Sequence, residues 1–154
     1  MPDICIRAAQ PSDCNQLARL REALWPESPI EEHGREVAAI LNGEACLTTP
    51  FIIFVAEAAD RTLAGFLDAR LRSHADGCDA SRPVGYIEGW YVAESCRQRG
   101  IGSELLVAAE NWARSLGCVE MASDTWIDNE LSQRVHQALG YEVVDRWVHY
   151  RKAL

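Results

Sequence analysis

No stretch of the 154-residue sequence is apolar for long enough to cross a bilayer as a helix: the longest strongly apolar run is Phe51-Ile52-Ile53-Phe54-Val55-Ala56, against the roughly 20 residues a span requires. The N-terminal residues Asp3-Ile4-Cys5-Ile6-Arg7 have neither the basic nor the apolar region of a secretory signal. Positive charge is in deficit, with 15 Lys plus Arg against 23 Asp plus Glu and a formal net charge of −8. That balance argues against nucleic acid or any partner held by its phosphates. It leaves a cationic partner, or plain solubility, as its meaning. The cysteines at positions 5, 14, 46, 78, 96 and 118 form no C-x-x-C pair and are too sparse for a disulfide scaffold. They are expected to be reduced thiols of a cytoplasmic protein. His33, His74, His136 and His149 show no H-E-x-x-H spacing, so no metal site is expected. Repeats and low-complexity tracts are also missing. The 48% hydrophobic and 25% charged residues are those of an ordinary globular chain, and residues 1–154 are expected to form a single domain.

What is present alternates between strand and helix patterns. Ile4, Ile6 and Ala8 mark a first short strand, and Pro11-Ser12-Asp13 signals a helix start. Leu17, Leu20, Leu24 and Trp25 share one side of the helix that follows, which Pro26 stops. A second helix is expected from Ile30 to Leu41, closed by Asn42-Gly43. Phe51–Glu57 and Leu63–Leu71 suggest a hairpin, followed by a polar loop from Arg72 to Pro83 and a strand from Val84 to Val92. Ile101, Leu105, Leu106, Ala109, Trp112, Ala113 and Leu116 form the apolar stripe of a long helix ended by Gly117. Val119–Asp124 is expected to be a strand, Asn129–Leu139 a helix, and Tyr141–Arg151 two strands or a bent one. The pattern describes one mixed α/β domain.

Between the strand ending at Val92 and the long helix lies Arg97-Gln98-Arg99-Gly100-Ile101-Gly102. A helix N-terminus offers unpaired N–H groups and a partial positive charge, and glycines there let a diphosphate come close. The turn lacks the Gly-Lys-Ser/Thr of a P-loop and the three glycines of a dinucleotide fingerprint. Taken alone it also fits two glycines that merely begin a helix.

Arg/Gln-x-x-Gly-x-Gly/Ala after a strand resembles the coenzyme A loop of the GCN5-related N-acetyltransferases (GNAT). Asn129-x-x-Ser132-x-x-Val135-His136-x-x-Leu139-Gly140-Tyr141 resembles that family's last helix and its exit into a further strand. The resemblance implies a GNAT fold: a mixed sheet of about six or seven strands flanked by about four helices. It implies acetyl-CoA as co-substrate, its diphosphate held by the N–H groups of Gln98, Arg99, Gly100, Ile101, Gly102 and Ser103. The splayed main chain of Trp90, Tyr91 and Val92 would hold the pantetheine arm, and Asn129 would touch the cofactor nearby. Where the family carries a tyrosine that protonates the departing thiolate, this chain has His136. Two roles fit it, the general acid or a packed histidine.

Leu24-Trp25-Pro26, Asp76-Gly77-Cys78-Asp79, Glu88-Gly89, Met121-Ala122-Ser123-Asp124-Thr125, Val135–Gly140 and Tyr150-Arg151-Lys152 together resemble the short, dimeric aminoglycoside 6′-N-acetyltransferases. That likeness implies an aminoglycoside acceptor, antibiotic resistance and a homodimer built on the C-terminal strands. It places Trp25, Glu88, Asp124 and Asp145 around the drug, with His74 near the position of a further aromatic contact. An acceptor bearing several ammonium groups calls for carboxylates and an aromatic face. Most acidic side chains here fit solvated surface equally well, but Glu88 inside the aromatic strand Tyr86-Ile87-Glu88-Gly89-Trp90 requires a reason. Trp25, just before Pro26, fits either a substrate contact or the end of a core stripe. The implied reaction is direct attack of the amine on the thioester, with the oxyanion held by the Val92 N–H and the amine's proton taken by Glu88 or Asp124. Other GNAT acceptors, such as a polyamine or a protein N-terminus, and a sensor that binds acyl-CoA without turnover, are the competing readings.

Overall fold

In the computed structural model, which describes residues 3–154, β1 (Ile4–Ala8) leads through a short 3₁₀ turn into α1 (Cys14–Leu24) and α2 (Ile30–Leu41). β2 (Phe51–Ala58), β3 (Leu63–Arg72) and β4 (Val84–Val92) follow. Then come α3 (Ile101–Ser115), β5 (Met121–Ser123) and α4 (Glu130–Ala138). The sheet has five strands in the order β1-β2-β3-β4-β5. The first four pair antiparallel, while β5 is parallel to β4, as a strand reached by a helical crossover must be.

Alternation along the strands gives the sheet two apolar faces. Ala56, Leu67, Ala69 and Ile87 pack beneath Ile101, Leu105, Leu106 and Ala109 of α3. On the other face Ile53, Val55 and Phe66 meet Leu17 of α1 and Val37 of α2. Each fully buried Leu or Phe contributes about 1.5–3 kcal/mol, so these two layers hold the helices in place over the sheet. Arg7 ties the layers' edge together through a bidentate pair with Asp13, at 2.7 and 2.9 Å, and a contact with Glu57.

The alternation slips once. Asp68 pairs with Gly89 but Ala69 with Ile87, so Glu88 is an extra residue on β4, a β-bulge. Beyond this point β4 also loses its other neighbour, since β5 pairs only with Gly85, Tyr86 and Ile87. The edge of β4 from Glu88 to Val92 is therefore open.

The C-terminal segment departs from expectation. Among the described residues, those after α4 form no strand, so the sheet has five strands rather than six or seven. A strand needs a ladder partner, and the outer edge of β5 is only three residues long. Val143, Val144, Trp147, Val148 and Tyr150 are all exposed, Trp147 at 64% and Tyr150 at 93%. The apolar alternation is present, but this chain provides it no face to cover. The Val119–Asp124 strand likewise contracts to Met121–Ser123, and Asn129 caps α4 rather than beginning it.

Candidate active site

The bulge decides which side chains reach which face of β4. Ile87 points to the α3 side, where it joins that core. Glu88 and Gly89 both turn to the α1/α2 side, and Trp90 returns to the α3 side, against Gly102. A cleft opening at the splayed edge thus has a cofactor-facing wall and a second wall that carries charge.

On the first wall, α3 begins at Gly100, whose φ of +79° suits a residue without a Cβ. No side chain caps this end, and the first helical bond runs from the Glu104 N–H to the Gly100 carbonyl at 3.0 Å. The N–H groups of Ile101, Gly102 and Ser103 are left as outward donors. Gln98 is also left-handed, with φ of +61°. Gly102 lies so close to the Trp90 ring that a Cβ there would stand 3.3 Å from Cζ2. The Ala93 N–H donates to the Ala64 carbonyl at 2.9 Å. Backbone direction alternates along a strand, so the N–H and carbonyl of Val92 face the open edge. The Val92 carbonyl accepts from Arg97 Nε at 2.9 Å, and its N–H points into the gap. Backbone donors and a close approach at Gly102 suit an extended chain ending in a diphosphate.

On the second wall, Trp25 closes α1, and its ring covers Gly89, where a Cβ would meet Cη2 at 2.4 Å. The ring packs against Phe66 and His33, with centroids 6.1 and 6.3 Å away, and Arg21 lies 5.1 Å from its centroid. The buried His33 donates Nε2–H to the Trp25 carbonyl at 3.0 Å, which fixes its tautomer. Beneath them Asp68 is 1% exposed, with Arg21 Nη1 3.1 Å from Oδ2. The approach is close but misaligned, and neither Asp68 oxygen has a hydrogen-bond partner among the described residues. Burial therefore outweighs the attraction of Arg21 and pushes the carboxyl up to about 7.

Next to Trp25, Glu88 is held by Arg72, whose Nε and Nη2 donate to Oε1 at 3.0 and 2.8 Å and whose Nη2 also reaches Oε2 at 2.8 Å. The Arg72 guanidinium lies 3.4 Å from the Tyr86 ring centroid. The Tyr86 hydroxyl donates to Asp124 Oδ1 at 2.9 Å, and burial together with that carboxylate pushes the phenol up to about 12. Trp25, Glu88 and Asp124 thus share one wall. His74 does not join them: it sits in the exposed loop after β3 beside Ser73 Oγ, 3.3 Å away. Asp145 lies in the strandless C-terminal segment and accepts the N–H of Arg146 at 2.6 Å. Among the described residues, neither is hydrogen-bonded to Glu88 or Asp124.

His136 stands at the cleft's end, edge-on to Trp90 and to Tyr141, with centroids 5.4 and 5.6 Å away. Its Nδ1–H donates to the Ser132 carbonyl at 2.8 Å. Nε2 lies 2.9 Å from Ser123 Oγ, within hydrogen-bond distance. The Asn129 side-chain Oδ1 caps α4 by accepting the Ser132 N–H at 3.1 Å.

Arg21, His33, Asp68, Arg72 and Tyr86 escaped the sequence reading. Asp68 carried a usable signal, a carboxylate in an apolar strand, the same anomaly that drew attention to Glu88. Arg72 carried none, because its partner is set by a register that contains the bulge.

The profile of the Acetyltransferase (GNAT) family matches residues 17–141. An aminoglycoside N(6′)-acetyltransferase type 1 of Salmonella typhimurium is 42% identical over 134 residues, covering 86% of this chain and 88% of the relative. The enzyme of the same name from Klebsiella aerogenes is 36% identical over 149 residues, 97% and 96% of the two chains. Among solved structures, AAC(6′)-Iy in complex with the bisubstrate analogue CoA-S-monomethyl-acetylneamine superposes with a TM-score of 0.82 at 38% identity, over 99% of both chains. AAC(6′)-Ih from Acinetobacter baumannii does so with a TM-score of 0.85 at 27% identity, again over 99% of each.

Proposed function

The chain belongs to the acetyltransferase (GNAT) family, and from that premise we infer that it is an acetyl-CoA-dependent aminoglycoside 6′-N-acetyltransferase. The observation that carries this reading is the parting of β4 from β5 after Ile87. It opens a cleft between a glycine-started, uncapped helix end and a wall of carboxylates and aromatic rings. Relatives and structural neighbours whose names specify the aminoglycoside 6′-amine span nearly the whole chain.

Acetyl-CoA supplies the thioester. The chain's own part begins with the diphosphate, received by the N–H groups of the segment Gln98–Ser103, Arg99, Gly100, Ile101 and Gly102 included. The open edge of Trp90, Tyr91 and Val92 pairs with the pantetheine arm, and the Val92 N–H is the donor aimed where carbonyl charge develops. Asn129 borders this path from the start of α4.

For the acceptor, Trp25 offers a ring face while Glu88 and Asp124 offer counter-charges to ammonium groups. An alkyl ammonium must lose a proton before it attacks. Asp124 is the better proton acceptor, directly or through a water, since among the described residues it is partnered by the neutral Tyr86 hydroxyl whereas Glu88 is engaged by the Arg72 guanidinium. His136 is assigned to packing in this reading, because both ring nitrogens are engaged within the chain, Nδ1 by the Ser132 carbonyl and Nε2 by Ser123 Oγ, and the ring sits edge-on to Trp90 and Tyr141. The reading needs neither His74 nor Asp145.

The exposed apolar residues of the C-terminal segment fit a second copy of the chain, so a homodimer is part of this reading. Six free cysteines fit a reducing cytoplasm. Thiol release from acetyl-CoA with kanamycin, tobramycin, a polyamine and a peptide amine as acceptors tests the assignment. Turnover with the aminoglycosides and product acetylated at the 6′-amine is expected. Turnover with only the other amines would refute the substrate, and none at all would refute the enzyme. Light scattering should give twice the chain mass, and a monomer would refute the dimer.

A further inference from the structure

The acceptor wall already holds a cation of its own. Arg72 grips both oxygens of Glu88, and its guanidinium carbon lies 3.4 Å from the Tyr86 ring centroid. A carboxylate beneath and a ring face alongside are the two features an ammonium on a sugar scaffold would seek. That a guanidinium fits there at 2.8 Å from the carboxylate and 3.4 Å from the ring centroid shows that the position suits a cation. We propose that Arg72 is a displaceable stand-in for the acceptor's ammonium, occupying the Glu88–Tyr86 position until the substrate takes it and thereby setting acceptor affinity. The proposal rests on the acceptor reading above and deepens it.

Release is cheap for this side chain. Arg72 is the last residue of β3, and its side chain is 39% exposed, so the guanidinium can swing into water without being stranded in the core. Glu88 is not abandoned when it leaves, because Arg70 Nε stays 3.7 Å from Oε1, itself anchored on Thr49 Oγ1 at 3.2 Å. Arg21 behaves otherwise, since its side chain is only 8% exposed and is packed 5.1 Å from the Trp25 ring centroid, with no path into water. With Arg72 turned out, the Tyr86 ring is uncovered, and Asp124 lies at the far end of the same ring for a second ammonium.

Calorimetric titration of kanamycin into the coenzyme A-bound protein tests this. R72Q should bind about two- to fivefold more tightly than the parent, the equivalent of about 0.4–1 kcal/mol for a partly exposed ion pair. R72K keeps the charge but not the two-pronged grip and should gain less. In an E88Q background the effect of R72Q should vanish, because the position no longer has a carboxylate to contest. Melting temperatures establish that each variant is folded. If R72Q binds kanamycin equally or more weakly while the parent binds and acetylates it, Arg72 only holds Glu88 in place and the proposal fails alone. A parent protein that binds no kanamycin overturns it together with the acceptor reading.

Discussion

Replacing Asp68 by Asn removes a charge from the floor beneath Trp25 while keeping its size, and the consequence should depend on pH in a definite direction. Burial lifts the Asp68 carboxyl from 3.8 to about 7. Between those values the folded protein therefore holds a proton that the unfolded chain has released. The stability that goes with this proton is complete below the unfolded value of 3.8 and is lost as pH rises through 7. The full swing is about 4 kcal/mol at 1.36 kcal/mol per pH unit. Integrating the two titrations over the accessible range from pH 5 to 8 gives a change of about 2–3 kcal/mol. Urea unfolding of the parent and D68N across that range should show the variant gaining on the parent by this amount. Asp13 titrates oppositely, because its pair with Arg7 holds its carboxyl low and that contribution is lost as pH falls. It is common to both proteins and cancels in the difference. A gap that stays constant would refute the argument. So would one that moves in the parent's favour as pH rises, the behaviour of a carboxylate that Arg21 stabilises in its charged form.

Three further outcomes probe the two walls. G89A would drive a methyl into the Trp25 ring, where overpacking costs about 1–3 kcal/mol, so the aminoglycoside KM should rise about tenfold with the acetyl-CoA KM unchanged, as read by steady-state thiol release. G102V presses on Trp90 and should weaken coenzyme A binding about tenfold by calorimetry; unchanged binding would remove Gly102 from the cofactor wall. H136Q should lower kcat less than about tenfold while lowering the melting temperature, whereas a fall of about 10²-fold in a protein of unchanged stability would make His136 the general acid after all.

The sequence was most informative where structure is local. Pro26, Asn42-Gly43 and Gly117 punctuate α1, α2 and α3 close to where they end, and the stripe from Ile101 to Ala113 does face the core. Tyr141–Arg151 was expected to form strands, but apolar content reports only that a segment could cover a face. A face has to be supplied by another strand or another chain. Within the site, Glu88 was legible because a charge in an apolar strand is costly. Its neighbours Arg72 and Tyr86 were not, since they meet it only after β3 and β4 have paired across the bulge; Trp25 and Asp124 were reached by likeness. His74 and Asp145 were placed by likeness alone, and among the described residues no hydrogen bond or ion pair ties either to Glu88 or Asp124.

The extra residue at Glu88 bears on how the protein could change its substrates. Because the strand shifts phase there, Glu88 and Gly89 join Tyr86 on the α1/α2 side, the proposed acceptor side, whereas Ile87 and Trp90 face α3. The two specificities are thus written on one strand in separate side chains. Acceptor range can drift by substitution while the cofactor grip, which relies on backbone, stays intact. Gain or loss of one residue between Tyr86 and Trp90 is a different matter, because it would exchange the two sets at a stroke. Diversification of this site is therefore open to point mutation and closed to insertion and deletion.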